Sequence, residues 1–163
     1  MAMVENQVPP SLLDRLVDND PSVSTESFHA GQISARRMRE IIRRDLGWLL
    51  ATVRMEEFVD IDGYENVRNS VLNYGVRDLS GVPEQNINPL EVQEAIRKAI
   101  CNFEPRFARS SVNVRLLDAS DDDQRGQAKI RITGQLQIPG MEGSIQLEAK
   151  INFETGDIKL VEA

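Results

Sequence analysis

The sequence predicts an α+β fold, with three helices packed on one face of a four-stranded antiparallel β-meander. Two observations carry that expectation. From Ser34 to Phe103 apolar residues recur at helical spacing, and beyond Ser110 the period changes to two. Turn formers divide the second region into four stretches with polar residues at alternate positions, the pattern of a sheet with one face buried and one wet.

Residues 1–33 are expected to form an N-terminal tail and 34–163 a single domain. Within the tail, Ser11 opens a short amphipathic turn in which Leu12, Leu13 and Leu16 share one side, and Asp14 completes a capping box with Ser11. So short a helix cannot hold itself, because helix nucleation is costly. The following stretch, Pro21 to Gln32, is rich in Ser, Thr, Pro and Gly and reads as a linker. The segment is either a tail lying on its own domain or a tethered peptide that orders on a partner.

The first long helix should start at Ser34, with Ile33 and Met38 as its hydrophobic staple. Met38, Ile41, Ile42, Leu46, Leu49, Leu50 and Val53 should face the core, and Arg36, Arg37, Arg39, Arg43 and Arg44 the opposite side. That basic side is either a solvated face or a docking surface for carboxylates. A second helix is expected from Asp62 to about Tyr74, capped at Asp62 and Glu65, with Tyr64, Val67 and Val71 on its apolar side and Gly75 as a left-handed stop. Asp78, Ser80 and Gly81 then mark a loop from Val76 to Val82. The third helix has the strongest start signal: Asn88 caps, Pro89 occupies the first turn and Glu91 closes the box. Its stripe is Val92, Ala95, Ile96, Ala99, Ile100 and Phe103, with Cys101 to the side and Pro105 ending the run.

Val112 to Leu116, Ala128 to Ile138, Ile145 to Phe153 and Ile158 to Leu160 carry the expected strands, with Val112 to Leu116 and Ile158 to Val161 as the sheet edges. Keeping apolar residues opposite one another sets Ile138 by Ile145, Leu136 by Leu147 and Ile132 by Ile151, with Lys129 against Glu154. Gly134 then faces Ala149, leaving a dip where a helix could lie close. Thr155-Gly156 suits a two-residue hairpin loop.

Composition narrows the chemistry. A chain of 163 residues is one domain in size. Its net charge of −7 opposes general affinity for nucleic acid, which rests on phosphate neutralisation. One cysteine excludes an internal disulfide and fits a reducing compartment, and no apolar run is long enough to span a bilayer. A cytoplasmic protein without membrane insertion is expected. Covalent catalysis needs a nucleophile beside a base, yet His29 is the sole histidine and lies in the linker. Asp118 to Asp123 lacks the glycine and glutamate of a calcium loop, and no zinc set or phosphate-cradling glycine pattern is present. No enzyme activity, cofactor, metal or small-molecule substrate is expected.

The most telling residues are Phe103-Glu104-Pro105-Arg106-Phe107. Pro105 pushes Glu104 out of the helical region, and in extended chain Glu104 and Arg106 fall on the same side. They are either a grip for a partner or a salt bridge bracing the helix-to-strand corner.

Together with Ser70 to Gly81, Ser11-Leu12-Leu13-Asp14-Arg15-Leu16 and Arg43-Arg44-Asp45-Leu46-Gly47-Trp48-Leu49-Leu50, this segment resembles the TssE family. These are baseplate subunits of type VI secretion systems, related to the baseplate-wedge, tail lysozyme-like proteins of contractile-tailed phages. The resemblance runs from about Ser11 to Val161. It implies a structural wedge subunit that binds TssF and TssG, with TssK a further neighbour, and helps start the TssB–TssC contractile sheath. It also implies that Glu104, Pro105 and Arg106 contact the wedge core. By the same resemblance Leu12, Leu13, Asp14, Arg15, Leu16, Arg43, Arg44, Asn73, Tyr74 and Asp78 become candidate partner-binding residues. The lysozyme-like label implies no hydrolase here. Glycoside hydrolysis needs paired carboxylates, one with a raised pKa, whereas Arg106 beside Glu104 acts the other way. Two rivals share the domain type: an anti-adaptor that binds a response regulator, and the equivalent wedge subunit of a phage tail or extracellular injection particle.

Overall fold

The computed structural model describes residues 10–17, 21–22, 33–82, 86–117 and 126–161. The linker beyond Ser22, His29 and the acidic loop therefore lie outside the described residues. Among the described residues four α-helices run at α1 (Leu12–Leu16), α2 (Ala35–Ala51), α3 (Glu65–Arg68) and α4 (Pro89–Phe103). Four antiparallel strands follow at β1 (Asn113–Leu117), β2 (Gln127–Ile138), β3 (Met141–Asn152) and β4 (Ile158–Val161), in the spatial order β1-β2-β3-β4. The fold is α+β.

Both long helices form where their caps are written. Ser34 Oγ accepts from Arg37 N (3.2 Å), and Asn88 Oδ1 from Leu90 N (3.1 Å) while its amide donates to Glu91 (2.9 Å). Each satisfies backbone donors that a helix start leaves open. In α2, Met38, Ile41, Ile42, Leu46, Leu49 and Leu50 are buried. At about 1.5–3 kcal/mol per buried side chain, packing outweighs the few tenths from the exposed Arg36–Glu40 pair. Val53 departs from the expected stripe, since it lies beyond the helix and is half-exposed. In α4, Val92, Ile96, Ala99 and Ile100 are buried. Helix α2 lies against β3 and β4, α4 lies against β1, and the two helices touch each other.

The expected helix from Asp62 to Tyr74 does not form as one piece. It is the single turn α3 followed by a 3-10 turn at Val71–Asn73, and these two pack on each other. Side chains compete with the helical backbone here. Ser70 Oγ donates to Val67 O (2.9 Å) and accepts from Leu72 N (3.2 Å). Asn73 Nδ2 donates to Arg68 O (3.1 Å), and its Oδ1 accepts from Glu56 N (2.9 Å). Asp62 does not cap; it accepts from Arg68 instead. Tyr64 and Val71 are exposed. Gly75 has the expected positive φ (127°), for a different reason. Val76 bridges Val53 in parallel, which brings the Thr52 carbonyl against the space a Cβ at Gly75 would need.

The sheet alternates as expected, and its register differs. Ile138 meets Met141, Leu136 meets Gly143, Ile132 meets Leu147 and Lys129 meets Lys150. Pro139 and Gly140 alone close the hairpin, with Gly140 at φ 79°, the Pro-then-Gly order that a type II turn uses. The tight turn slides β3 along β2 by an even number of residues, so the apolar face stays inward while every partner changes. At the other end, Ile151 pairs with Ile158, and a loop from Phe153 to Asp157 replaces the expected two-residue turn. Asn152 Oδ1 takes the N–H of Glu154 (2.9 Å) and of Thr155 (3.3 Å), holding that longer loop.

Candidate functional site

The site grows from the end of α4. Glu104 leaves helical geometry (φ −121°, ψ 82°) ahead of Pro105, while its N–H still reaches Ile100 O (2.9 Å). The chain turns through Pro105 and Arg106 and meets the far half of β2. Arg106 O accepts from Gln137 N (2.7 Å), and Ala108 N donates to Gln135 O (2.9 Å). Phe107, which forms the bridge to Leu136, packs its ring over Gly134, and that ring fills the dip the sequence left for a helix. Gly134 pairs with Ile145, not Ala149.

Glu104 is only 4% exposed. It and Arg106 do fall on one side of the chain, but their charged groups turn onto each other. Oε1 accepts from Arg106 Nε (2.6 Å) and from its backbone N (3.2 Å), and Oε2 accepts from Nη2. This is a guanidinium fork on a carboxylate, the strong geometry for a buried pair. Nη2 also donates to Asp45 Oδ2 (2.7 Å) on α2. Asp45 Oδ1 in turn accepts from Arg44 Nη2 (2.7 Å) and Nε (3.0 Å). Arg44 then donates from Nη1 (2.6 Å) and Nη2 (3.1 Å) to Asp14, whose carboxylate also receives the Ser11 hydroxyl. Ser11 spends its side chain on the Asp14 carboxylate and caps no backbone N–H, so the expected capping box does not form. Arg44 stacks over Trp48, 4.7 Å from the ring centroid.

The charges act on one another. The hydrogen bond from Arg44 holds the Asp14 carboxyl well below its ordinary value, at about 2, and that same bond raises Arg44. For Arg106, burial works against the cation, but the hydrogen bond and charge of Glu104 outweigh it, and its pKa rises. Burial pushes the Tyr74 hydroxyl up, with the charges of Asp45 and Glu104 adding to it. Tyr74 packs edge-on against Phe103 at 5.3 Å. The two rings, with Leu46, Leu49 and Pro105, line an open cleft of about 300 Å³ beside the Glu104–Arg106 pair. Arg106 Nη1 is buried with no hydrogen-bond partner, the sole such side-chain atom among the described residues.

Above the charges, α1 is held by its polar side. Its Asp14 points inward, while Leu12 (71%), Leu16 (74%) and Leu13 (49%) stay exposed. That inverts the usual arrangement of an amphipathic helix. Arg15 is exposed as well.

Three of the quoted motifs thus meet at one corner, joined by Tyr74 from the fourth. Other candidates lie elsewhere. Asn73 is buried and ties Glu56 to Arg68. Asp78 sits at the opposite end of the sheet, near Gly156, and accepts from Ser80 N (2.8 Å). Arg43 belongs to α2 but makes no bond in the network. The residue that sequence reasoning missed is Asp45. It stands among the arginines of α2 and is the link between Arg44 and Arg106.

Among the described residues no group of His, Cys, Asp and Glu could hold a metal ion, and no helix is long and apolar enough to cross a membrane. A locked charge corner, a cleft of rings beside it and outward leucines lie together on one α+β domain. The chain matches the family model of baseplate wedge protein gp25 over residues 36–139, and it belongs to that family. It is a structural component of the phage baseplate wedge type, whose work is assembly with other baseplate proteins. No curated protein and no solved structure matches it.

Proposed function

We propose that this protein is the wedge subunit of a type VI secretion baseplate, acting in the cytoplasm. It binds the TssF–TssG wedge core through the corner of Glu104, Pro105 and Arg106 together with the leucines of α1, in an assembly that also holds TssK. Its sheet offers edges from which the TssB–TssC sheath starts. The observation that carries this reading is the continuous network from Ser11 through Asp14, Arg44, Asp45 and Arg106 to Glu104. It joins residues far apart in sequence into one surface, with an apolar flank uncovered. Exposed apolar residues rimmed by polar ones mark protein contacts.

Affinity purification of the tagged protein from its native cells tests the proposal. TssF and TssG should be recovered. Leu12→Asp with Leu16→Asp should lose them in a protein that melts like the parent, since both side chains are exposed. Recovery of a response regulator, or of tail proteins of a phage or extracellular particle, would sink it.

A further inference from the structure

The register of the sheet gathers charge on its outer face. Directly paired residues share a face of the sheet, and so do residues two apart along a strand. Ile130, Ile132, Ala149, Ile151 and Ile158 turn inward and join the buried residues of α2 and α4 in one core. Their neighbours in sequence therefore point the other way. Lys129 stands opposite Lys150, and Lys150 opposite Lys159, so three lysines cross three strands in one row. In the next row Arg115 stands opposite Arg131. Adjacent strands lie about 5 Å apart, and residues two along a strand about 7 Å apart, so these cations fill one small field. The far half of the face is different: Thr133, Gln135, Gln137, Ser144 and Gln146 carry no charge.

Like charges directly opposite destabilise a sheet. The sequence pattern would set Lys129 against Glu154, which avoids that cost, but the tight turn at Pro139-Gly140 sets lysine against lysine. Two anions answer part of the charge. Glu148 pairs with Arg131 (2.8 Å), and Asp157 reaches Lys159 only at 3.6 Å, with both side chains exposed. The second contact contributes little. Arg115 and Lys150 are exposed and have no ion pair or hydrogen-bonded side-chain partner among the described residues. All this sits on a chain whose net charge is −7.

We infer that this outer field of Arg115, Lys129, Arg131, Lys150 and Lys159 binds a run of acidic side chains on another protein. Lysine is a compact charge on a mobile stem, and it follows carboxylates of varied geometry where an arginine fork demands one. Charges beyond about 8–10 Å are screened at cellular salt, so a short acidic segment meets the field and not the net charge of the chain. A nucleic acid fits less well. It would run past the field onto a chain of net negative charge, and no strand carries an aromatic residue on which bases could stack. That the partner is a protein rests on the assembly role proposed above, and the test has a separate readout.

A labelled octaglutamate peptide, titrated against the full chain by fluorescence anisotropy, should bind, and the binding should weaken as salt rises. Lys150→Gln with Lys159→Gln should lower the affinity at least tenfold. The melting temperature should not fall, since the change relieves a row of like charges. Lys98→Gln with Arg109→Gln removes the same charge from exposed residues outside the sheet and should change the affinity less than twofold. Failure of the peptide to bind, or an equal loss in both double variants, would overturn the inference. So would tighter binding of a single-stranded oligothymidylate of equal charge, or a melting temperature that falls along with the affinity. Binding seen only after Asp121→Asn, Asp122→Asn and Asp123→Asn would also overturn it, because the chain's own loop would then be the occupant. Recovery of TssF and TssG would stand or fall independently.

Discussion

Phe107 and Gly134 share one space: the ring's Cδ1 lies 2.5 Å, and Cε1 2.9 Å, from where a Cβ on residue 134 would sit. Phe107 is 2% exposed, so it has nowhere to retreat. The fit lets the segment after Pro105 lie flat on β2, and that in turn orients Arg106 toward Asp45.

Gly134→Ala should therefore destabilise the domain by about 1–3 kcal/mol, the range for overpacking a filled core. Urea unfolding would read this as a lower midpoint with an unchanged slope. An unchanged midpoint would mean that the ring moves freely, contrary to its burial.

Arg106→Ala strands a buried carboxylate at Glu104. It should cost about 3 kcal/mol, the lower end of the range for breaking a buried pair. Arg106→Lys keeps the charge but loses the fork, and should cost less. Thermal melts of both variants, compared with recovery of wedge partners, separate the two roles of this pair. A corner brace loses stability alone, whereas a gripping residue loses partners even in the better-folded lysine variant.

Acid should release α1. The Asp14 carboxyl is depressed to about 2 through Arg44, so the docked segment prefers the ionised form. Its contribution is complete above the ordinary aspartate pKa near about 4. It is lost as pH falls from there through about 2. Amide exchange in Leu13–Leu16 should rise over that interval, with the sheet amides as internal reference. Asp14→Asn should show the raised exchange already at neutral pH.

Asn73→Ala should lower stability by about 1–3 kcal/mol, because it strands Glu56 N–H and Arg68 C=O in a partly buried site. Partner recovery from the remaining folded protein should be unchanged. A binding loss without a stability loss would return Asn73 to the docking surface.

What the sequence made legible was local. Helices α2 and α4 were readable because a cap is a bond between residues a few positions apart, and a stripe repeats every turn. The strands were readable because alternation survives any even slip, and the same tolerance hid the register. Only Pro139-Gly140 could have revealed it, as a complete two-residue turn. Residues 62–74 misled because their apolar spacing is helical while Ser70 and Asn73 take backbone bonds that a helix needs. The corner was half visible. Glu104 and Arg106 announce themselves beside Pro105, but Asp45 is drawn in from 61 positions away, and nothing local in α2 marks an acid that two arginines will share.

The row Glu104, Arg106, Asp45, Arg44, Asp14 alternates in sign without a gap. Such a row has a parity. Neutralising either end leaves the remaining members still alternating. Neutralising Asp45 leaves two cations as neighbours, and neutralising Arg44 sets two anions side by side. The interior members can thus change only in concert with a neighbour, whereas loss of Asp14 or Glu104 costs its own ion pair and leaves the rest of the row alternating.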